Sequence, residues 1–338
     1  MKDFSKYLEG LDALLVTHPP NIRYLTEFPH PEGTWLLLFE QDYLLIGTPL
    51  YENDLKASGL PHRVAPRKAW PELIAELARG KLGFEADHTS HATYTELSEK
   101  VSAELVPTRG RIEHARKIKR PDEVERIKRA MAIAKEAYEK ARPLVAPERS
   151  EAEIAGELER AMRVAGAEDR AFPPIVASGE NGAFPHAVPT SRRLKEGELV
   201  TLDFGARYAG YHSDVTRTLA LSPIPKELSR LLEAVKRALD AALSALAPGV
   251  LAKTLDEKAR AVLAEAGLLE YFPHSLGHGV GLEVHEAPII NLQSNEVLRP
   301  GMVITLEPGV YVPGLGGARV EELVLVTEEG YEVLSAGL

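Results

Sequence analysis

The sequence predicts an α+β protein of two domains, residues 1–115 and 116–338. Three observations predict it. Short apolar runs alternate with turn signals over residues 10–50, and helical patterns follow them. Pro121 then opens a long segment with 3.6-residue apolar periodicity. Further on, two strand–turn–strand units each carry a pair of carboxylates, at 203 and 214 and at 307 and 321.

In the first domain, Leu11-Asp12-Ala13-Leu14-Leu15-Val16 reads as a strand. Trp35-Leu36-Leu37-Leu38-Phe39 and Tyr43-Leu44-Leu45-Ile46 read as two more, joined by the polar Glu40-Gln41-Asp42. A helix is expected from Trp70 to Arg79, with Pro71 suited to its first turn. Another strand is expected near Leu82-Gly83-Phe84. Strands mixed with helices make this a small α/β domain.

In the second domain, a helix is expected from Asp122 to Arg142, with Val124, Ile127, Met131, Ala134 and Tyr138 on its apolar face. Pro143 and Pro147 end it. Ser150 with Glu153 three residues on is a capping-box signature, and the helix it opens runs to Val164, with Gly166 at its end. Two further helices are expected at Lys226–Leu246 and Leu255–Ala266.

Composition excludes several classes. No apolar run approaches the roughly 18 residues needed to span a membrane. Met1 to Lys6 lack the charged-then-apolar layout of a signal peptide, so a cytoplasmic protein is expected. There are no cysteines, which removes disulfides, thiolate metal sites and cysteine nucleophiles together. Any metal must then be held by Asp, Glu and His. A formal charge of −10 argues against nucleic acid as a partner. Gln occurs twice and Asn five times beside many Pro, Arg and Glu, a usage that leans towards a thermophilic source.

The carboxylates are the first functional signal. Leu199 to Phe204 is a strand by its apolar and β-branched content, Arg207 to Gly210 a turn, and Tyr211 to Leu221 the return. With the turn centred between Tyr208 and Ala209, Asp203 and Asp214 face each other. Val303 to Glu307 and Arg319 to Val324 flank a turn rich in Gly and Pro, and Glu307 can likewise face Glu321. Directly opposed acids repel, and burying them without a cation is costly. Two divalent cations with a neutral His would balance four such acids, as in the two-metal hydrolases. The alternative is that the acids lie on solvated strand faces, with Arg217 and Arg319 as ion-pair partners.

Histidines supply the second signal. Three of the eleven, His274, His278 and His285, fall within twelve positions, among Gly277, Gly279 and Gly281. Glycines there allow close backbone approach to a site, and metal ligation or acid–base work is the expected use. His186 lies in a loop held by Pro185 and Pro189 just before the first carboxylate strand, a common setting for a catalytic group.

At these residues the chain resembles the metal-dependent peptidases of the pita-bread fold, which include methionine aminopeptidase, aminopeptidase P and prolidase. Leu202-Asp203-Phe204-Gly205 through Ser213-Asp214-Val215-Thr216 is similar to the paired-aspartate motif. His274 to His285 is similar to the proline-peptidase histidine motif. Thr305-Leu306-Glu307-Pro308-Gly309 and Arg319-Val320-Glu321-Glu322 are similar to the two glutamate motifs. Asn21-Ile22-Arg23-Tyr24-Leu25-Thr26 resembles a segment of the N-terminal domain of prolidases, aminopeptidases P and creatinase, which methionine aminopeptidases lack.

The resemblance implies a curved antiparallel sheet backed by helices, behind a creatinase-like N-terminal domain. It implies a metal pair held by Asp203, Asp214, His278, Glu307 and Glu321, and a homodimer. Oxygen-rich ligands favour Mn²⁺ or Co²⁺, with Zn²⁺ possible. The expected activity is hydrolysis of the Xaa–Pro bond in dipeptides or short peptides. An Xaa–Pro amide has no N–H, and its departing nitrogen must receive a proton, for which Glu307 is the expected shuttle. His285 would stabilise the intermediate, His186 would lie beside the scissile amide and His274 would line the proline side. Arg319 would orient Glu321 or its neighbours, or form a plain hairpin ion pair.

One position departs from the family pattern. Several prolidases carry an Arg four residues after the position of His285, where it binds a dipeptide's carboxylate; here Ile289 stands there. His274, Arg192 or Arg193 could supply the charge instead, and aminopeptidase P is the alternative activity. Two remoter readings are a non-enzymatic binding module of the same fold and creatinase-like hydrolysis without metal, both of which go with loss of the ligands present here.

Overall fold

The computed structural model describes residues 3–338, so Met1 and Lys2 of the leader reading lie outside the described residues. The chain divides into two compact units, one ending at Arg116 and one running from Lys117 to Leu338.

The first unit is built on β1 (Ala13–Val16), α1 (Pro19–Thr26), β2 (Thr34–Leu38), β3 (Tyr43–Gly47), α2 (Glu52–Ser58), β4 (His62–Val64), α3 (Trp70–Leu77), β5 (Lys81–Glu85), α4 (His91–Lys100), β6 (Glu104–Thr108) and the short α5 (Glu113–Arg116). Its strands form one mixed sheet in the order β4-β3-β2-β1-β5-β6. Strand side chains alternate between faces. Leu14, Val16, Leu36 and Leu38 pack with Ile22, Leu25 and Leu55 on one side. Ala13, Leu15, Trp35 and Leu37 pack with Trp70, Ile74 and Leu97 on the other. Both faces are covered, which is why these strands read as unbroken apolar runs.

The second unit opens with α6 (Pro121–Ala141) and α7 (Glu151–Val164). Ser150 caps α7 as expected: its hydroxyl accepts from the Glu153 N–H, and the Glu153 carboxylate accepts from the Ser150 N–H. Then come β7 (Asp169–Arg170), β8 (Ile175–Ser178), β9 (Leu199–Phe204), β10 (Ala206–Tyr208), β11 (Tyr211–His212) and β12 (Val215–Ala220). Helices α8 (Lys226–Ala245) and α9 (Ala252–Glu265) follow, the latter starting three residues before the expected Leu255. The chain ends with β13 (Gly277–Gly279), β14 (Glu286–Ile290), β15 (Val303–Leu306), β16 (Gly309–Val312), β17 (Gly316–Arg319), β18 (Glu322–Val326) and β19 (Tyr331–Val333).

Every strand pairing in this unit is antiparallel. The ladders β12-β9-β8 and β14-β13-β15-β18-β19 meet where the Glu321 N–H donates to the Thr216 carbonyl at 3.1 Å and the Thr218 hydroxyl to the Arg319 carbonyl at 2.7 Å. Helices α8 and α9 bury Leu231, Val235, Leu255 and Leu263 against Leu199, Ile304, Leu306 and Val324. On the other flank α6 packs on β10 and β11, and Tyr138 stacks on Phe204 with ring centroids 5.7 Å apart. This is the curved antiparallel sheet backed by helices that the resemblance implies.

The first carboxylate hairpin departs from its expected register. Asp203 faces Thr216, and Val215 faces Phe204, so Asp203 and Asp214 are not directly opposed. The reversal is made by Ala209 (φ 48°) and Gly210 (φ 81°), between the paired Tyr208 and Tyr211. Two-residue hairpin turns of this type need positive φ at both central positions, with Gly favoured at the second. That places the turn one residue later than the sequence reading put it. Each residue's partner therefore shifts by two, a full side-chain period, and both acids keep the same face. The second hairpin holds the expected register, with Leu306 facing Glu322 and Gly309 facing Arg319 on either side of Glu307 and Glu321.

Candidate metal centre

Five elements of the second unit bring the acids and His278 together. Asp203 stands near the end of β9, and Asp214 lies in the bend between β11 and β12. Glu307 follows β15 and Glu321 precedes β18. His278 lies in β13, drawn close to β15: a Cβ on Gly277 would fall 1.9 Å from the Thr305 carbonyl oxygen, so only glycine permits that approach. The Glu307 N–H donates to the Leu276 carbonyl at 2.7 Å and ties the glutamate to the histidine segment.

The side chains form three overlapping groups whose ligand atoms lie within 4.8 Å of one another: Asp203, Asp214 and Glu321; His278, Glu307 and Glu321; Asp214, His278 and His285. His278 Nε2 is 3.2 Å from Glu307 Oε1 and 3.7 Å from Asp214 Oδ2. His278 Nδ1 lies 3.1 Å from the Gly279 carbonyl, which can only accept, so Nδ1 carries a proton in either charge state, and Nε2 offers its lone pair to a cation once it gives up the proton it shares with Glu307.

These acids are not on solvated faces. Asp203, Asp214 and Glu321 are 9%, 5% and 1% exposed. Arg217 turns away from them, its Nη2 reaching both oxygens of Glu322 at 2.9 and 3.0 Å. Arg319 does pair with Asp203, Nη2 to Oδ2 at 2.6 Å. Glu321 Oε2 accepts from the Thr216 hydroxyl at 2.8 Å. The other oxygens, Asp203 Oδ1 and Glu321 Oε1, are buried without a hydrogen-bond donor. A buried carboxylate oxygen left open is costly unless something positive fills it, and an all-oxygen-and-imidazole donor set suits divalent cations.

The electrostatics agree. Burial, then repulsion from Glu321, Asp203 and Glu307, pushes Asp214 well above the usual carboxylate range. Burial, then Glu307 and Asp203, does the same for Glu321. Burial raises Asp203 against the opposing pull of Arg319. Glu307 is burdened by burial too, but the His278 hydrogen bond and charge bring it below its ordinary value. His278 is lowered by burial, then raised past its ordinary value by the bond and charge of Glu307. By itself the cluster holds protons that a bound cation must displace.

Around the cluster lies a cleft of about 620 Å³. It is lined by His186, His274, His285, Ile289, Arg319 and four of the five expected ligands; Glu321, grouped with those ligands, is buried and outside the lining. His285 packs edge-on against His278, ring centroids 4.3 Å apart. His274 has both nitrogens engaged: Nδ1 with the Ser275 carbonyl at 2.8 Å and Nε2 with the Tyr311 hydroxyl at 3.0 Å. Arg319 Nη1 donates to that hydroxyl at 2.6 Å, so a chain of hydrogen bonds runs His274–Tyr311–Arg319–Asp203.

The expectation that Arg192 or Arg193 supplies the missing carboxylate anchor is corrected. Arg192 is bound to Glu198 and Ser178, and Arg193 donates to the Glu148 carbonyl; neither lines the cleft. His274 is held below its ordinary value by burial, which favours the neutral ring. Ile289 lines the cleft and is 44% exposed.

Sequence reasoning missed Tyr311, Thr216 and the apolar wall Phe172-Pro173-Pro174-Ile175. Tyr311 had a usable signal, since 307, 309 and 311 fall on one face of an extended chain. Nothing local marked Thr216 or the wall.

Taken together, fold and site define a peptidase that binds divalent metal. The chain belongs to metallopeptidase family M24, which it matches over residues 125–328, behind a Creatinase/Prolidase N-terminal domain matched over residues 8–118. An Xaa-Pro dipeptidase of Pyrococcus horikoshii is 37% identical over 329 residues, covering 96% of this chain and 93% of the relative. The solved Xaa-Pro dipeptidase of Bacillus anthracis superposes with a TM-score of 0.92 at 36% identity, covering 99% of this chain and 95% of that one. A solved X-Pro aminopeptidase of Thermotoga maritima follows at TM-score 0.87 and 32% identity, over 97% and 96% of the two chains. Among the described residues no helix is long and apolar enough to cross a membrane.

Proposed function

We propose that this chain is an Xaa–Pro dipeptidase that holds two divalent ions on Asp203, Asp214, His278, Glu307 and Glu321. The observation that carries the reading is the pair of buried, donorless carboxylate oxygens of Asp203 and Glu321 inside a five-residue ligand cluster. Relatives named for Xaa–Pro dipeptides, similar over nearly the whole chain, give the substrate class. Mn²⁺ or Co²⁺ suits the oxygen-rich set better than Zn²⁺. We also read the protein as a cytoplasmic homodimer, with sedimentation as the check on its mass.

Divalent ions bound in such a pair lower the pKa of water and polarise a carbonyl. The chain's own residues do the rest. Glu307 is held ionised by His278 and lines the cleft, so it can take a proton from the attacking water and deliver it to the departing proline nitrogen. His285, placed edge-on to His278, donates to the oxyanion as it forms. His186 lines the cleft and would lie beside the scissile amide. Arg319, anchored on Asp203 and Tyr311, fixes the orientation of the ligand shell.

The test is kcat/KM for Ala-Pro against Ala-Pro-Ala and a longer Xaa-Pro peptide, with Mn²⁺, Co²⁺ and Zn²⁺ in turn. Ala-Pro is expected to be a good substrate with at least one metal. The second reading is an aminopeptidase acting on longer peptides; Ile289 favours it, because this apolar side chain lines the cleft at the position where several prolidases carry an Arg. A clear advantage for the longer peptides selects that reading. Ile289→Arg should raise Ala-Pro turnover selectively, by roughly tenfold or more, the worth of one charge-assisted contact. No gain would mean that the carboxylate is held elsewhere.

A further inference from the structure

The loop that carries His285 is short and tied at both ends. The Gly281 N–H donates to the Glu283 carbonyl at 3.0 Å, and the Glu283 N–H to Glu286 Oε2 at 3.4 Å. From outside, the Val280 N–H donates to the Val303 carbonyl and the His212 N–H to the Gly281 carbonyl, at 3.0 and 2.8 Å. At the far end Glu286, the residue after His285, meets Lys119 Nζ at 2.9 Å. Both side chains are withdrawn from solvent, at 1% exposure for Lys119 and 5% for Glu286. Lys119 is seated by its own backbone, its N–H donating to the Gly301 carbonyl at 2.8 Å. A Cβ on Gly281 would fall 2.5 Å from Glu286 Oε1, so the carboxylate lies folded against the start of the loop.

A buried ion pair is a poor stabiliser, because desolvation takes back most of what the charges gain; its best-attested use is to fix one arrangement among several. Here the arrangement concerns a functional side chain. His285 is itself exposed, with its ring packed on one side against His278, so its place depends chiefly on its backbone. We propose that the buried Lys119–Glu286 pair sets the position of His285, which makes Lys119 and Glu286 positioning residues for turnover. This rests on the reading of His285 as the group that serves the oxyanion.

The test uses the metal-loaded enzyme with Ala-Pro, or the longer peptide if that is the better substrate. Four variants are compared: Glu286→Gln, His285→Ala, both together, and the apolar pair Lys119→Met with Glu286→Leu. Displacing a catalytic group slightly costs up to about a hundredfold in rate. Glu286→Gln should lower kcat roughly tenfold to a hundredfold, with KM and metal content within about twofold of the parent. It should add little in the His285→Ala background, since residues acting as one unit are not additive. The apolar pair should fold with near-parent thermal stability and stay slow. Two results overturn the proposal: losses that multiply across His285→Ala and Glu286→Gln, or an apolar pair with parent turnover, which would make the ion pair structural only. A His285→Ala enzyme with parent activity would remove the oxyanion assignment, and this proposal with it.

Discussion

Buried carboxylates occur in both units, and they are treated in opposite ways. In the first unit Glu85 is buried, and burial raises its pKa, yet the protein fills its oxygens: Oε2 accepts from the N–H groups of Thr17 and His18 at 2.6 and 2.8 Å, and Oε1 from Asn21 Nδ2 at 2.6 Å. Glu151 in the second unit is equally saturated, by Ser178, Asn181 and Thr190. In the metal centre, by contrast, Asp203 and Glu321 each keep one buried oxygen with no donor. A buried acid closed by the protein's own donors holds the fold together. One left open in a cluster of its own kind is made for a cation.

The largest expected effect breaks the open cluster. Asp214→Asn removes a ligand charge and should lower activity by more than about a hundredfold, since even indirect disturbance of a metal site costs ten- to a hundredfold. Metal per chain should fall while circular dichroism stays native. An unchanged two-metal stoichiometry with normal turnover would remove Asp214 from the site.

The histidines sharpen the comparison next. His278→Ala should lose both metal and turnover. His285→Ala should lose roughly a hundredfold in kcat while keeping its metal, the scale of a single catalytic donor. Metal analysis of the two proteins side by side decides; equal metal loss would put His285 among the ligands.

Acidity acts on the open cluster in a direction that can be worked out. In metal-free protein Asp203, Asp214 and Glu321 have raised values, so their contribution to stability is present in acid, below about pH 4, and is lost as pH rises through the raised values. His278, also raised, acts in the same sense near neutrality; Glu307, lowered, opposes it in acid. Metal binding must displace those protons. The Tm of metal-free protein should therefore fall from mild acid to neutral pH. Added Mn²⁺ should raise it most at neutral pH, and excess Mn²⁺ should move the acid limb of activity downward. A Tm gain on adding Mn²⁺ that is the same at both pH values would refute this.

The smallest effect on chemistry comes from the closed acid. Glu85→Ala leaves two backbone donors and one of the two Asn21 amide hydrogens without their acceptor, the other still meeting Glu113. It should destabilise by about 2–4 kcal/mol in denaturant titration, from a cost of about 1–3 kcal/mol per unmatched buried group. Metal content and kcat should stay at parent values, unlike every variant above.

Much of this was readable in one dimension. The helices of the second unit were placed by periodicity and by caps that act within a few residues: Pro121 at the start of α6, and Ser150 with Glu153 at the start of α7. The acids and the histidine segment stood out because those residue types, in apolar or glycine-rich surroundings, have few inexpensive explanations. The register of the first hairpin was misplaced for a local reason, the backbone conformation that Gly210 favours, and the two-residue period of a strand kept the error from moving either acid to the wrong face.

By itself, then, the sequence determined the long helices, several of the strands, the candidate ligands and the face each acid takes, because these follow from short-range periodicity and local backbone preference. Tertiary structure alone decided which lone pairs are filled. Glu85 and Glu321 are both glutamates in apolar surroundings, and only the approach of Thr17, His18 and Asn21 to one, and of three more carboxyl groups to the other, separates a structural acid from an open one. The same holds for Tyr311 between His274 and Arg319, and for Lys119 under the His285 loop. Lys119 and Glu286 are 167 positions apart in the chain, beyond the reach of any local pattern, and only the folded chain brings their charges together.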